Sequence, residues 1–151
     1  MIYIDTALFT NTRSMGAGVV MRDHLGACIV SYDIGVPEVF NPELAQAISI
    51  KRGLLFALSE GIQEVVLASD CLTAIQRINS LDMDRSLCGP VIQDIKHLRT
   101  SFNTSSIFHV RREQNVFAHL LARSCNQLGC RVWRGVSPEC IRESICMDIT
   151  P

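Results

Sequence analysis

Apolar and polar residues alternate along Ile2-Tyr3-Ile4-Asp5-Thr6-Ala7-Leu8. That period of two predicts a strand over residues 2–8, with Tyr3 and Asp5 on the face opposite Ile2 and Ile4. Turn-forming residues 10–14 separate it from a second run, Gly16 to Arg22. A turn at Asp23-His24-Leu25-Gly26 leads into a third, Ala27 to Tyr32. Three strands divided by turn signals read as an antiparallel meander. Pro37 and Asn41-Pro42 mark a loop, after which the period changes. Leu44, Ala45, Ile48, Leu54, Leu55 and Leu58 fall on a helical stripe from Pro42 to Glu60, with Gly61 as its C-cap. Gly53 inside that helix costs about 1 kcal/mol relative to alanine, which points to close packing on the sheet. A strand over 64–69, helices over 71–79 and 90–101, a strand over 105–111 and a helix from Gln114 to Leu128 complete the pattern. The order βββ-α-β-α-α-β-α predicts an α/β fold, a mixed sheet with helices packed on it. Beyond Gly129, the spacing of Trp133, Val136, Ile141 and Ile145 predicts one more amphipathic turn or helix. Residues 129–151 are thus expected to pack on, or extend, a domain spanning 1–128.

Composition narrows the class. The 151 residues, 48% hydrophobic and 19% charged, describe one globular domain with a sizeable core. No apolar stretch approaches the ~20 residues that span a bilayer, and no membrane association is expected. The first residues lack the basic and apolar regions of a secretory signal; a short stand-alone domain and a piece of a longer polypeptide both remain open. Seven cysteines without a Cys-x-x-Cys pair exclude the usual zinc spacings. Free thiols suit a reducing compartment, cytoplasmic or nuclear. A net charge of −1 excludes nucleic-acid binding by overall basicity; any such binding must use a local patch and weaken with salt.

The candidate chemistry begins with two acids. Asp5 interrupts the first strand and Asp70 closes the run Val65-Val66-Leu67-Ala68-Ser69, so both lie where a sheet builds a metal site on one rim. Asp5 also reads as a strand-end aspartate in a turn, and Asp70 as an N-cap for the next helix.

Five segments carry a resemblance: Asp5-Thr6-Ala7-Leu8-Phe9; Gly16-Ala17-Gly18-Val19-Val20-Met21-Arg22-Asp23; Pro42-Glu43-Leu44-Ala45-Gln46-Ala47; Ser69-Asp70-Cys71; and His109-Val110-Arg111-Arg112-Glu113-Gln114-Asn115 with Ala118-His119 and Leu121-Ala122. In order and spacing they resemble the type 1 ribonuclease H domain, in its plant retroelement-like form, over roughly residues 2–128. The resemblance implies an RNase H-like α/β fold with a mixed five-stranded sheet, three antiparallel strands and then two more. It also implies a site in which four carboxylates hold two Mg²⁺ ions that cut the RNA of an RNA–DNA hybrid. Asp5 and Asp70 match two of the four positions. Gln46 stands at the glutamate position and His119 at the fourth, so four formal charges become two. Imidazole suits Mn²⁺ better than Mg²⁺. Glu43, one helical turn before Gln46, is a candidate substitute metal ligand, and also reads as a first-turn acid favoured by the helix dipole.

Thr6, Asn11, Arg13, Arg111, Arg112 and Asn115 are the candidate nucleic-acid contacts, with Lys51, Arg52, Lys96 and Arg99 as a possible phosphate track or simply solvated helix faces. His109 reads as an edge histidine. The leading expectation is a monomeric binder of RNA–DNA hybrid or duplex RNA whose Mg²⁺- or Mn²⁺-dependent cleavage is weak or lost. Its competitors are an active hybrid endoribonuclease and a domesticated protein-interaction module.

Overall fold

The computed structural model describes residues 1–39, 41–125 and 128–143. The alternating opening forms β1 (Ile2–Phe9), paired antiparallel with β2 (Ser14–Arg22), which pairs in turn with β3 (Cys28–Pro37). The helical stripe forms α1 (Pro42–Ser59). Its first turn is closed by the Asn41 side chain, which accepts from the Leu44 N–H at 3.0 Å. Gly61, at φ +76°, ends the helix by donating to the Leu58 carbonyl. β4 (Glu64–Ser69) then runs parallel to β1, and β5 (Thr104–His109) parallel to β4, with α2 (Leu72–Asn79) and α3 (Gly89–Arg99) making the crossover.

The expected five-strand sheet has a sixth strand. α4 (Val116–Arg123) is shorter than predicted, and β6 (Gly129–Arg134) pairs antiparallel with β3, giving the order β5-β4-β1-β2-β3-β6. α4 stops because Ser124 and its surroundings satisfy the last turn: its N–H donates to Leu120, and its hydroxyl to Leu121 at 2.9 Å. The Arg131 guanidinium then reaches the Ser124 carbonyl at 3.3 Å. Trp133 therefore belongs to a strand and not to an amphipathic helix, and Val136 is exposed. Residues 139–143 are helical, and Ile141 is fully buried against Val20, Ala118 and Leu121. Ile145 lies outside the described residues.

Two apolar layers follow from the alternation. Ile2, Ile4, Val19, Met21 and Leu67 face α1 and α3, meeting Ile50, Leu54, Ile92 and Ile95. α4 covers the other face over β1 and β2. There the second strand must be glycine: a Cβ on Gly18 would stand 2.4 Å from the Ala118 carbonyl oxygen and 2.6 Å from the Ala122 nitrogen. Gly53 packs as its position in the helix predicts, since a Cβ there would meet Ile4 Cδ1 at 2.1 Å.

Candidate active site

Parallel pairing of β1 with β4 places Ile4 beside Ser69, which brings Asp5, within β1, next to Asp70, just past the end of β4. Asp5 is 4% exposed on the α4 face of the sheet. Its Oδ1 accepts from the Thr6 backbone N–H at 2.8 Å, and its Oδ2 meets His119 Nδ1, from α4, at 2.7 Å. Burial pushes the Asp5 carboxyl above its usual range. The Thr6 N–H opposes that rise, the Asp70 charge adds to it, and His119 opposes it. Asp70 is not the helix N-cap; Cys71 takes that position, and the Ser69 hydroxyl accepts from the Cys71 N–H at 3.2 Å. The Asp70 carboxylate, its side chain 11% exposed, lies 3.5 Å from Nε of Arg112, whose own side chain is 84% exposed.

Gln46 reaches the residue after Asp5. Thr6 Oγ1 donates to Gln46 Oε1 at 3.2 Å and lies 2.6 Å from Ser49 Oγ, and Ser49 donates to the Ala45 carbonyl at 2.9 Å. Thr6, expected to meet a substrate, is thus turned into α1. Ser49 was not foreseen, because an α1 serine carries no signal of its partner on β1.

Other expected site residues are placed differently. Glu43 does not stand in for the missing acid: its carboxylate pairs with Arg77 of α2 at 3.0 Å. Asn115, expected to contact nucleic acid, is 1% exposed and donates through Nδ2 to the Ile4 carbonyl at 2.8 Å, with Oδ1 buried and unpartnered. It fastens the start of α4 to β1 beside Asp5. Asn11 and Arg13 occupy the exposed β1–β2 turn, beyond Phe9 and about 13 Å along the strand from Asp5. Arg13 has φ +50°, and its carbonyl accepts from the Glu38 N–H at 2.7 Å. Arg111 and Arg112 stand exposed at the short 3₁₀ turn Arg112–Gln114, where the Gln114 side chain accepts from the Arg111 N–H. His109 is exposed at the end of β5, beside Ser69.

Most of the proposed phosphate track is engaged within the fold. Lys51 pairs with Asp94, Lys96 donates to the Ser80 and Asp82 carbonyls, and Arg99 holds Asn79 and Ser105. Arg52 is half-buried near Tyr32.

A pair of Mg²⁺ ions requires hard oxygen donors carrying enough negative charge to replace hydration water. This rim offers two carboxylates, each already meeting a protein donor, together with an amide tied to Thr6 and an imidazole. Among the described residues no cluster of three or more His, Cys, Asp and Glu side chains is placed to hold a metal ion. The residues present do not fit the four-carboxylate metal pair.

The sheet order, the crossovers and the rim of β1, β4 and α4 define a ribonuclease H-like fold. The type 1 ribonuclease H of the archaeon Halobacterium salinarum superposes with a TM-score of 0.74 over 82% of this chain and 93% of its own, at 21% identity. A type 1 ribonuclease H isolated from compost, solved in complex with an RNA/DNA hybrid, gives 0.71 over 82% and 93%, at 19% identity. The foamy viral protease–reverse transcriptase, also solved with RNA/DNA hybrid, matches 82% of this chain with 19% of its own, at a TM-score of 0.69 and 12% identity. No curated protein matches the sequence. The reverse transcriptase-like family model matches residues 4–125, and the chain belongs to that family. Among the described residues no helix is long and apolar enough to cross a membrane.

Proposed function

We propose that this domain binds RNA–DNA hybrid, or duplex RNA of similar A-like shape, and that its Mg²⁺-dependent cleavage is weak or lost. One observation carries the reading: both oxygens of Asp5 are met by donors of the chain itself, Thr6 N–H and His119 Nδ1. Exposed Arg111 and Arg112 beside the cleft supply the local cationic patch that a net charge of −1 requires. Two of the neighbours with this fold were solved on RNA/DNA hybrid, which supports hybrid as the first ligand to test. Free thiols at Cys28, Cys71, Cys88, Cys130 and Cys140 suit a cytoplasmic or nuclear setting.

The test is a labelled RNA–DNA hybrid incubated with the chain in Mg²⁺ and, separately, in Mn²⁺, with binding and cleavage followed together. Salt-sensitive binding with little or no cleavage is expected, any residual cleavage being larger in Mn²⁺, which accepts imidazole nitrogen more readily. Robust Mg²⁺-dependent cleavage abolished by Asp5→Asn would overturn the loss of activity. Absence of binding at low salt would overturn the nucleic-acid reading.

A further inference from the structure

We propose that the cleft takes a backbone phosphate of its nucleic acid directly on Arg112, without an intervening metal ion. The inference rests on the hybrid-binding reading and specifies how the ligand is held. A phosphodiester approaching two adjacent carboxylates is repelled unless cations lie between them. In this cleft the chain supplies its own positive and donor groups at both acids: Arg112 Nε at 3.5 Å from Asp70, and His119 Nδ1 at 2.7 Å from Asp5. The Arg112 guanidinium is not consumed by its acid. The Asp70 contact uses Nε, which leaves the terminal guanidinium nitrogens for the two-pronged contact that arginine makes with phosphate. Accessibility agrees, because the Arg112 side chain is 84% exposed while the Asp70 side chain it meets is 11% exposed. Asn115, anchored on Ile4, fixes the start of the helix that carries His119. A divalent ion entering the same space would have to displace both contacts and would recover only two carboxylates in return. The arrangement therefore favours a phosphate over a hydrated cation.

The decisive measurement is hybrid affinity of the full chain at one low salt concentration, in EDTA and in Mg²⁺, for wild type, Arg112→Ala and Asp70→Asn. Wild type is expected to bind in EDTA at least as tightly as in Mg²⁺. Arg112→Ala should weaken binding by roughly five- to tenfold and lower the salt slope by about 1. Asp70→Asn, which removes a repelling charge and releases Arg112, should tighten binding several-fold in EDTA. That sign is opposite to the one expected of a metal ligand. A saturable Mn²⁺ site in direct titration, lost in Asp5→Asn, would overturn the proposal. So would hybrid binding that appears only with a divalent ion, or weaker binding by an Asp70→Asn variant whose thermal melt is intact. In those cases hybrid binding itself stands. Failure of wild type to bind in either buffer removes both this inference and the reading beneath it.

Discussion

At the scale of single residues, burial sets Asp5 against its own ionisation. Its folded-state pKa is raised, first by desolvation and further by Asp70, against the opposing Thr6 N–H and His119. The native state therefore holds the Asp5 proton more tightly than the unfolded chain does. The stabilisation that follows is complete below the unfolded value of 3.8 and disappears as pH rises through the folded value. Asp5→Asn should consequently unfold at higher urea than wild type at neutral pH, and the difference should close as pH falls toward 3.8. Urea titrations at several pH values check this, and a variant less stable than wild type at neutral pH would contradict it. Asp5 and His119 stand out in the sequence because a strand aspartate and a helix histidine in ordered segments are informative by type. The inward turn of Asn115 is not, since an asparagine before a helix looks the same whether its amide faces solvent or a carbonyl 111 residues earlier. Glu43 is equally opaque, because Arg77, which claims it, lies 34 residues away on another helix.

At the scale of elements, the seat of α4 on β2 is the contact that holds the cleft together. Gly18→Ala presses a methyl on the Ala118 carbonyl and the Ala122 nitrogen, both backbone, so relief means lifting α4 and drawing His119 from Asp5. The cost should be about 1–3 kcal/mol or more. Gly53→Ala meets Ile4 Cδ1 and Cγ1, side-chain and not backbone atoms, and gains up to about 1 kcal/mol of helix propensity, so its net effect should be smaller. Chemical denaturation of the two variants compares them, and equal losses would show that neither contact is special. The first three strands and α1 are legible because each keeps one period and ends at a turn residue. β6 is not: Gly129-Cys130-Arg131-Val132-Trp133-Arg134 carries two arginines and an incomplete alternation. What makes it a strand is its pairing partner β3, with Asp33 held 98 residues before Arg131. The early end of α4 is hidden as well, because the guanidinium that meets the Ser124 carbonyl belongs to that later strand.

Across the whole molecule, β6 turns β3 from an edge into an interior strand and neutralises a buried charge. Asp33 is 1% exposed in the α4-side layer, and Arg131 meets both of its oxygens, at 2.5 and 3.2 Å, while stacking on Trp133. Arg131→Ala should cost about 3–5 kcal/mol, because it leaves an uncompensated carboxylate. Arg131→Met with Asp33→Asn should recover most of that loss. A thermodynamic cycle over the single and double variants measures the difference, and additive losses would rule out the pairing as the cause. The molecule is also closed by contacts between its far ends, His119 with Asp5 across 114 residues and Asn115 with Ile4 across 111. During translation the ribosome makes these partners roughly 6–23 s apart at 5–20 residues per second. For that interval the nascent meander holds Asp5 without its imidazole and the glycine face of β2 without its helix. The rim therefore comes into being only as α4 emerges, and a chain stalled before that point displays a bare sheet face to whatever chaperone attends it.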